Sequence, residues 1–124
     1  YETVILKPLV FMNDSGIAIS KALKFFKLKS GDLLVVQDDS DLIFKTIKLV
    51  RNRNSAGHHG IESIINNLKT KDFYRLRIGI RDKNSKAKAG NFVLNNFTSQ
   101  EMEILEKEIF PKALEIINNW LKTI

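Results

Sequence analysis

Four apolar residues, Ile61, Ile64, Ile65 and Leu68, recur at i, i+3, i+4 and i+7 between two strand-like runs. That spacing puts all four on one face of a helix. The run before it, Leu33-Leu34-Val35-Val36, is continuous and apolar, as expected of a strand covered on both faces. It ends in the polar residues 37–41. The run after the helix, residues 73–80, alternates, with Leu76, Ile78 and Ile80 on one face and Arg75 and Arg77 on the other. Strands interleaved with helices argue for an α/β layered fold. In such folds ligands sit beyond the carboxyl ends of the strands. Two polar clusters, residues 37–41 and 52–60, lie at strand ends or just after them, and chemistry is expected there.

The remaining elements follow from local signals. Residues 4–6 form a short β-branched run stopped by Pro8, and Asn13, Asp14 and Ser15 offer helix caps. Ala18, Ala22, Phe25 and Phe26 recur at helical spacing, which predicts a helix over 16–27. Ser30-Gly31-Asp32 is a turn, and residues 46–50 alternate as a strand. Residues 82–90 read as a basic loop. Thr98 with Glu101 forms a capping box. Its helix is expected to run to about Phe110, where Pro111 breaks or restarts it. A last helix then carries Leu114, Ile117, Trp120 and Leu121 on one side. No linker divides the chain, so residues 1–124 are expected to form one domain.

The chain has no cysteine, which excludes disulfides and thiolate metal sites and fits a cytoplasmic protein. Two histidines are too few for an imidazole-rich structural zinc site. The net charge is +6. Residues 45–88 hold twelve Lys or Arg against three acids, so this stretch carries +9 and the rest of the chain −3. Concentrated positive charge gathers polyanions, and nucleic acid is the first partner to consider. A solvated basic face with no partner is the alternative.

Asp38, Asp39 and Asp41 follow an apolar strand. Such carboxylates can orient a histidine, hold a divalent metal or act as acid and base, or form a plain acidic turn. His58-His59, between Gly57 and Gly60, precedes a helix, where backbone N–H groups attract anions. A histidine there can bond a phosphate or ribose, or merely cap and pack. Arg75 and Arg77 carry forks suited to phosphate, or form a solvated outer face. Nothing resembles a nucleophile elbow.

Taken in order, five segments resemble the bacterial peptidyl-tRNA hydrolase family. They are Lys7-Pro8-x-x-Phe11-Met12-Asn13-x-Ser15-Gly16, Leu33-Leu34-Val35-Val36-x-Asp38-Asp39-x-Asp41-Leu42, Gly57-His58-x-Gly60-Ile61-x-Ser63-Ile64-Ile65, Phe73-x-Arg75-Leu76-Arg77-Ile78-Gly79-Ile80, and Phe92-Val93-Leu94-x-x-Phe97. The resemblance implies a monomeric, cytoplasmic α/β protein with a mixed twisted sheet flanked by helices. It implies hydrolysis of the ester between peptide and tRNA, with no metal, cofactor or membrane. A histidine serves as general base, an aspartate orients it, and asparagines hold substrate and stabilise the oxyanion, a reasonable division of labour for ester cleavage. Asp38 matches the orienting aspartate and Asn13 the asparagine that fixes histidine and substrate. Met12, Gly57 and His58 match residues of the substrate groove, with His59 beside them. Arg77 matches one arm of the clamp on the tRNA 5′ phosphate. The clamp lysine falls on Val50, with Lys48 and Arg51 adjacent, and Arg75 shares the Arg77 strand. Residues 83–97 match a lid.

The departures carry expectations too. The family opens with a strand, a Gly-Asn-Pro-Gly turn and a Thr-Arg-His-Asn segment holding the catalytic histidine; the sequence is therefore expected to lack the family's N-terminal strand-helix-strand region, and the 124-residue chain to be inactive and marginally stable. His59 replaces an asparagine, Gln37 stands where a histidine is common, and Asn52-Arg53-Asn54 replaces a glycine-rich stretch. A non-catalytic tRNA-binding relative of the same fold is the alternative function.

Overall fold

The computed structural model describes residues 2–10, 12–82 and 97–124. Its elements are α1 (Ser15–Phe25), β1 (Leu34–Ile43), β2 (Ile47–Arg51), α2 (His59–Leu68), β3 (Tyr74–Arg81), α3 (Ser99–Ile104) and α4 (Phe110–Leu121). A π-helical turn, Leu105–Ile109, joins the last two. The strands form one sheet in the order β1-β3-β2. β3 runs parallel to β1: Tyr74 N–H donates to Leu33 O at one end, and Phe44 N–H to Arg81 O at the other. It runs antiparallel to β2, since Asn52 N–H donates to Phe73 O and Gly79 N–H to Thr46 O. The α/β class with a mixed sheet is as the sequence implies. The basic loop and lid of residues 83–96 lie outside the described residues.

By its internal contacts the chain forms two compact units, residues 1–33 with 51–74 and residues 34–50 with 75–124. In the first, α1 packs on α2. Ile61 and Ile64 of the predicted stripe are buried, together with Ile19 and Phe73. Gly16 lets the two helices meet. Its N–H donates to Ser63 Oγ at 3.0 Å, and a Cβ at this position would overlap the Ser63 carbonyl.

The second unit corrects three expectations. β1 does not stop before the acids; it continues through them to Ile43. Nor is its apolar run covered on both faces, because Val36 is 53% exposed. Burial falls instead on Gln37 and Asp39, at 5% and 7% exposure, which hydrogen-bond arginines of β3. Pro111 restarts the C-terminal helix, one of the two outcomes expected of it. It stands in the first turn of α4, directly after the π-helical turn. Proline lacks an N–H and crowds the carbonyl four residues back, so a widened turn there accommodates both. The buried stripe is Leu105, Ile109, Ala113 and Trp120, whereas Leu114 is 59% exposed. The stripe steps by four residues across the π turn, which moves Leu114 off the buried side.

The capping box forms as expected. Thr98 Oγ1 accepts from Glu101 N–H at 3.1 Å, and Glu101 Oε1 accepts from Thr98 N–H at 2.8 Å. Thr98→Ala is expected to lower stability by about 1 kcal/mol, read from the urea midpoint. An unchanged midpoint would show that the helix start is held by other contacts. Among the described residues no helix is long and apolar enough to cross a membrane.

Candidate functional site

The first unit gathers most of the residues expected at the substrate. Met12 and Asn13 begin a 3₁₀ turn, Met12–Asp14, that leads directly into α1. The Ser15 hydroxyl donates to the Met12 carbonyl at 2.8 Å and ties this turn to the helix. The same turn packs on α2. Gly60 is buried, and a Cβ there would stand 3.0 Å from Met12 Cγ and 3.1 Å from His58 Cε1. A residue without a side chain therefore lets Met12 and the His58 ring share one small volume. Met12 itself is 48% exposed, and Asn13, Gly57 and His59 are exposed beside it.

His58 caps α2. Its backbone is extended, with φ −73° and ψ 112°, and its Nδ1 accepts from Ile61 N–H at 3.2 Å. An accepting Nδ1 carries no proton, which assigns the neutral ring's proton to Nε2. His59 begins the helix and faces solvent. The loop before it takes left-handed backbone turns at residues other than glycine. Asn52 and Ala56 take left-handed φ values of 59° and 50°, and Gly57 follows at 83°. Asparagine tolerates that region better than most residues, so Asn52 can stand in for glycine.

Arg51 is also in this unit. It grips Asp72 with Nε at 2.8 Å and Nη2 at 3.4 Å, and its Nη1 donates to Tyr74 Oη at 3.1 Å. Its Cζ lies 4.8 Å from the Tyr74 ring centroid. The hydrogen bond that Arg51 donates to Asp72, and then the Asp72 charge, raise the Arg51 pKa above the usual value. The side chain stays about half exposed, with a relative exposure of 45%.

The second unit holds Asp38, Lys48, Arg75 and Arg77. Asp38 lies within β1, partly buried, and Lys48 is exposed on β2. Arg77 donates from Nε to Asp39 Oδ2 at 2.7 Å. Arg75 is the misplaced expectation. It is 2% exposed and donates from Nε to Gln37 Oε1 at 2.7 Å. A guanidinium buried this deeply cannot reach a polyanion, so the solvated outer face read for Arg75 is an interior one. The charge of +9 over residues 45–88 therefore overstates the basic surface. Sequence reading missed Gln37 and Asp39 as the arginines' partners. The available signal was two pairs at i, i+2 on strands, which share a face when the strands are neighbours. Among the described residues, no group of three or more His, Asp or Glu could hold a metal ion.

The fold and these two clusters define a mixed-sheet α/β protein with exposed polar turns and paired arginines. The model of the peptidyl-tRNA hydrolase family matches residues 1–124, and the chain belongs to that family. It is 44% identical over 119 residues to the peptidyl-tRNA hydrolase of Mycoplasma capricolum, covering 96% of this chain and 63% of that protein. The enzyme of Sulfurihydrogenibium is 43% identical over 122 residues, covering 98% and 64%. The crystal structure of peptidyl-tRNA hydrolase from Acinetobacter baumannii superposes with a TM-score of 0.69 at 29% identity, over 80% of this chain and 50% of that one. The chain thus spans about 63% of the length of the curated relatives it matches.

Proposed function

We propose that the protein hydrolyses the ester joining a peptide to the 3′ ribose of tRNA, as a cytoplasmic monomer that needs no metal or cofactor. The observation that carries this reading is the joining of two family segments in one place: the Met12–Asn13 turn packs on the helix that His58 and His59 open. Exposed Met12, Gly57 and His59 supply a mixed apolar and polar surface for a peptidyl ester. The Asn13 amide is a donor suited to an ester carbonyl as it becomes an oxyanion. Asp38 is the carboxylate that orients the histidine base, which raises the base's efficiency toward water. Arg77, with exposed Lys48 and Arg51, supports recognition of tRNA phosphates. Arg75 has no part in that contact.

Asp38→Ala in the full-length protein is expected to lower kcat for peptidyl-tRNA cleavage about 100-fold or more, with KM little changed. Undiminished hydrolysis would remove Asp38 from the mechanism. A second reading, a non-catalytic tRNA-binding relative, draws support from His59 in place of an asparagine and from Asn52-Arg53-Asn54 in place of a glycine-rich stretch. That reading predicts steeply salt-dependent tRNA binding with the ester left intact.

A further inference from the structure

β1 and β3 are adjacent and parallel, and each turns two successive same-face residues toward the other. β1 contributes Gln37 and Asp39; β3 contributes Arg75 and Arg77. The four form a ladder. Arg75 Nε donates to Gln37 Oε1 at 2.7 Å, Gln37 Nε2 faces Asp39 Oδ2 at 3.5 Å, and Arg77 Nε donates to that same oxygen at 2.7 Å. The other Asp39 oxygen, Oδ1, accepts from Asp41 N–H at 2.9 Å. Exposure rises along the ladder. Arg75 is 2% exposed and Gln37 5%; the side chain of Asp39 is 9% exposed and that of Arg77 21%. The rung nearest solvent is Arg77.

We propose that Asp39 is a positioning residue for Arg77, holding the guanidinium by Nε so that its two terminal nitrogens face a tRNA phosphate. The proposal rests on the reading of Arg77 as a tRNA contact. A free arginine samples many rotamers and loses that freedom when it binds. Here a short charge-assisted bond fixes the side chain beforehand. Nε is the nitrogen to hold, because the terminal pair remains in the fork geometry that matches two phosphate oxygens. Asp39 is fixed in turn, from one side by a backbone N–H and from the other by Gln37, which Arg75 anchors in the interior. The arrangement has a cost: the carboxylate offsets part of the charge that attracts phosphate. The sign of the effect on removing Asp39 therefore decides between holding and competing.

The test measures tRNA binding by the full chain across a salt series, with unfolding midpoints recorded for every variant. Arg77→Ala is expected to lower the slope of log K against log salt by about 0.9, the share of one phosphate contact. Asp39→Asn is expected to weaken binding about tenfold and lower the slope by the same amount. Asp39→Glu, which keeps a carboxylate, is expected to restore the slope. The double variant Asp39→Asn/Arg77→Ala is expected to bind no worse than Arg77→Ala alone. Tighter binding by Asp39→Asn would overturn the proposal and show that Asp39 competes with phosphate. A double variant clearly weaker than Arg77→Ala would overturn it too, by giving Asp39 a role outside Arg77. If Arg77→Ala leaves the slope unchanged, the tRNA reading of Arg77 fails and the proposal with it; if only Asp39→Asn leaves it unchanged, the proposal alone fails. Should Asp39→Asn not fold, Arg77→Lys tests the same point. One ammonium cannot hold Asp39 and present a fork, so the slope should fall as for Arg77→Ala; a wild-type slope would overturn the proposal by showing that charge alone matters.

Discussion

Arg75→Ala is expected to lower the free energy of unfolding by about 3 kcal/mol while leaving the salt dependence of tRNA binding unchanged. The side chain is 2% exposed, and its Nε bond to Gln37 is 2.7 Å long. Truncation removes the packing of the long apolar stem and leaves a cavity. It also strips the buried Gln37 carbonyl of a charged donor, and an unsatisfied buried acceptor is costly. The salt slope counts phosphate contacts, and an interior guanidinium makes none. Urea unfolding and a tRNA binding series on the same preparation separate the two effects. A stable Arg75→Ala protein with a reduced slope would return Arg75 to the tRNA face and contradict the observed burial.

Gly79→Ala is expected to be strongly damaging, costing about 3 kcal/mol or preventing folding. The reason is topological. β3 lies between β1 and β2, so the connection from β1 to β2 has to cross it. The crossing is tight: Thr46 N–H donates to Ile43 O at 3.0 Å, and Lys45 takes a left-handed φ of 80°. The chain passes over Gly79, where a Cβ would overlap the carbonyls of Ile43 and Leu42. Backbone is on the receiving side, so no side chain can swing away. Gly31→Ala is the natural control. Its nearest neighbour would be Arg51 Nη2 at 3.6 Å, an ordinary contact. A Gly79→Ala protein within about 0.5 kcal/mol of the parent, the range of ordinary surface changes, would show that the crossing can move.

Much of the fold was legible because helices and strands announce their periods. The stripe headed by Ile61 and Ile64 and the Thr98–Glu101 box are local signals, and both formed as read. The gathering of Met12 and Asn13 on α2 was legible only through the family resemblance, since a long stretch of chain, with two strands in it, separates the two segments. What failed depended on neighbours that sequence does not name. Arg75 looked solvent-facing because charge is usually outside; a paired Gln37 on the adjacent strand is what makes its burial tolerable. Leu114 looked buried because it opens an i, i+3, i+7 series with Ile117 and Leu121, whereas the buried side of α4 carries Ala113 and Trp120. β1 looked finished at Gln37 because acids rarely enter a buried strand; its partners came from β3.

The ladder across β1 and β3 has a consequence for how the sheet finds its register. Sliding β1 by one residue would send Gln37 and Asp39 to the opposite face, because side chains alternate with period two. A slip in one direction would set Arg75 against Val36, and a buried guanidinium beside valine has no acceptor to meet. Apolar runs such as Leu33-Leu34-Val35-Val36 are nearly indifferent to a slip, since either face offers similar side chains. The polar rungs remove that indifference. They make the slip that would bring Val36 to Arg75 costly, where an all-apolar pairing would tolerate it.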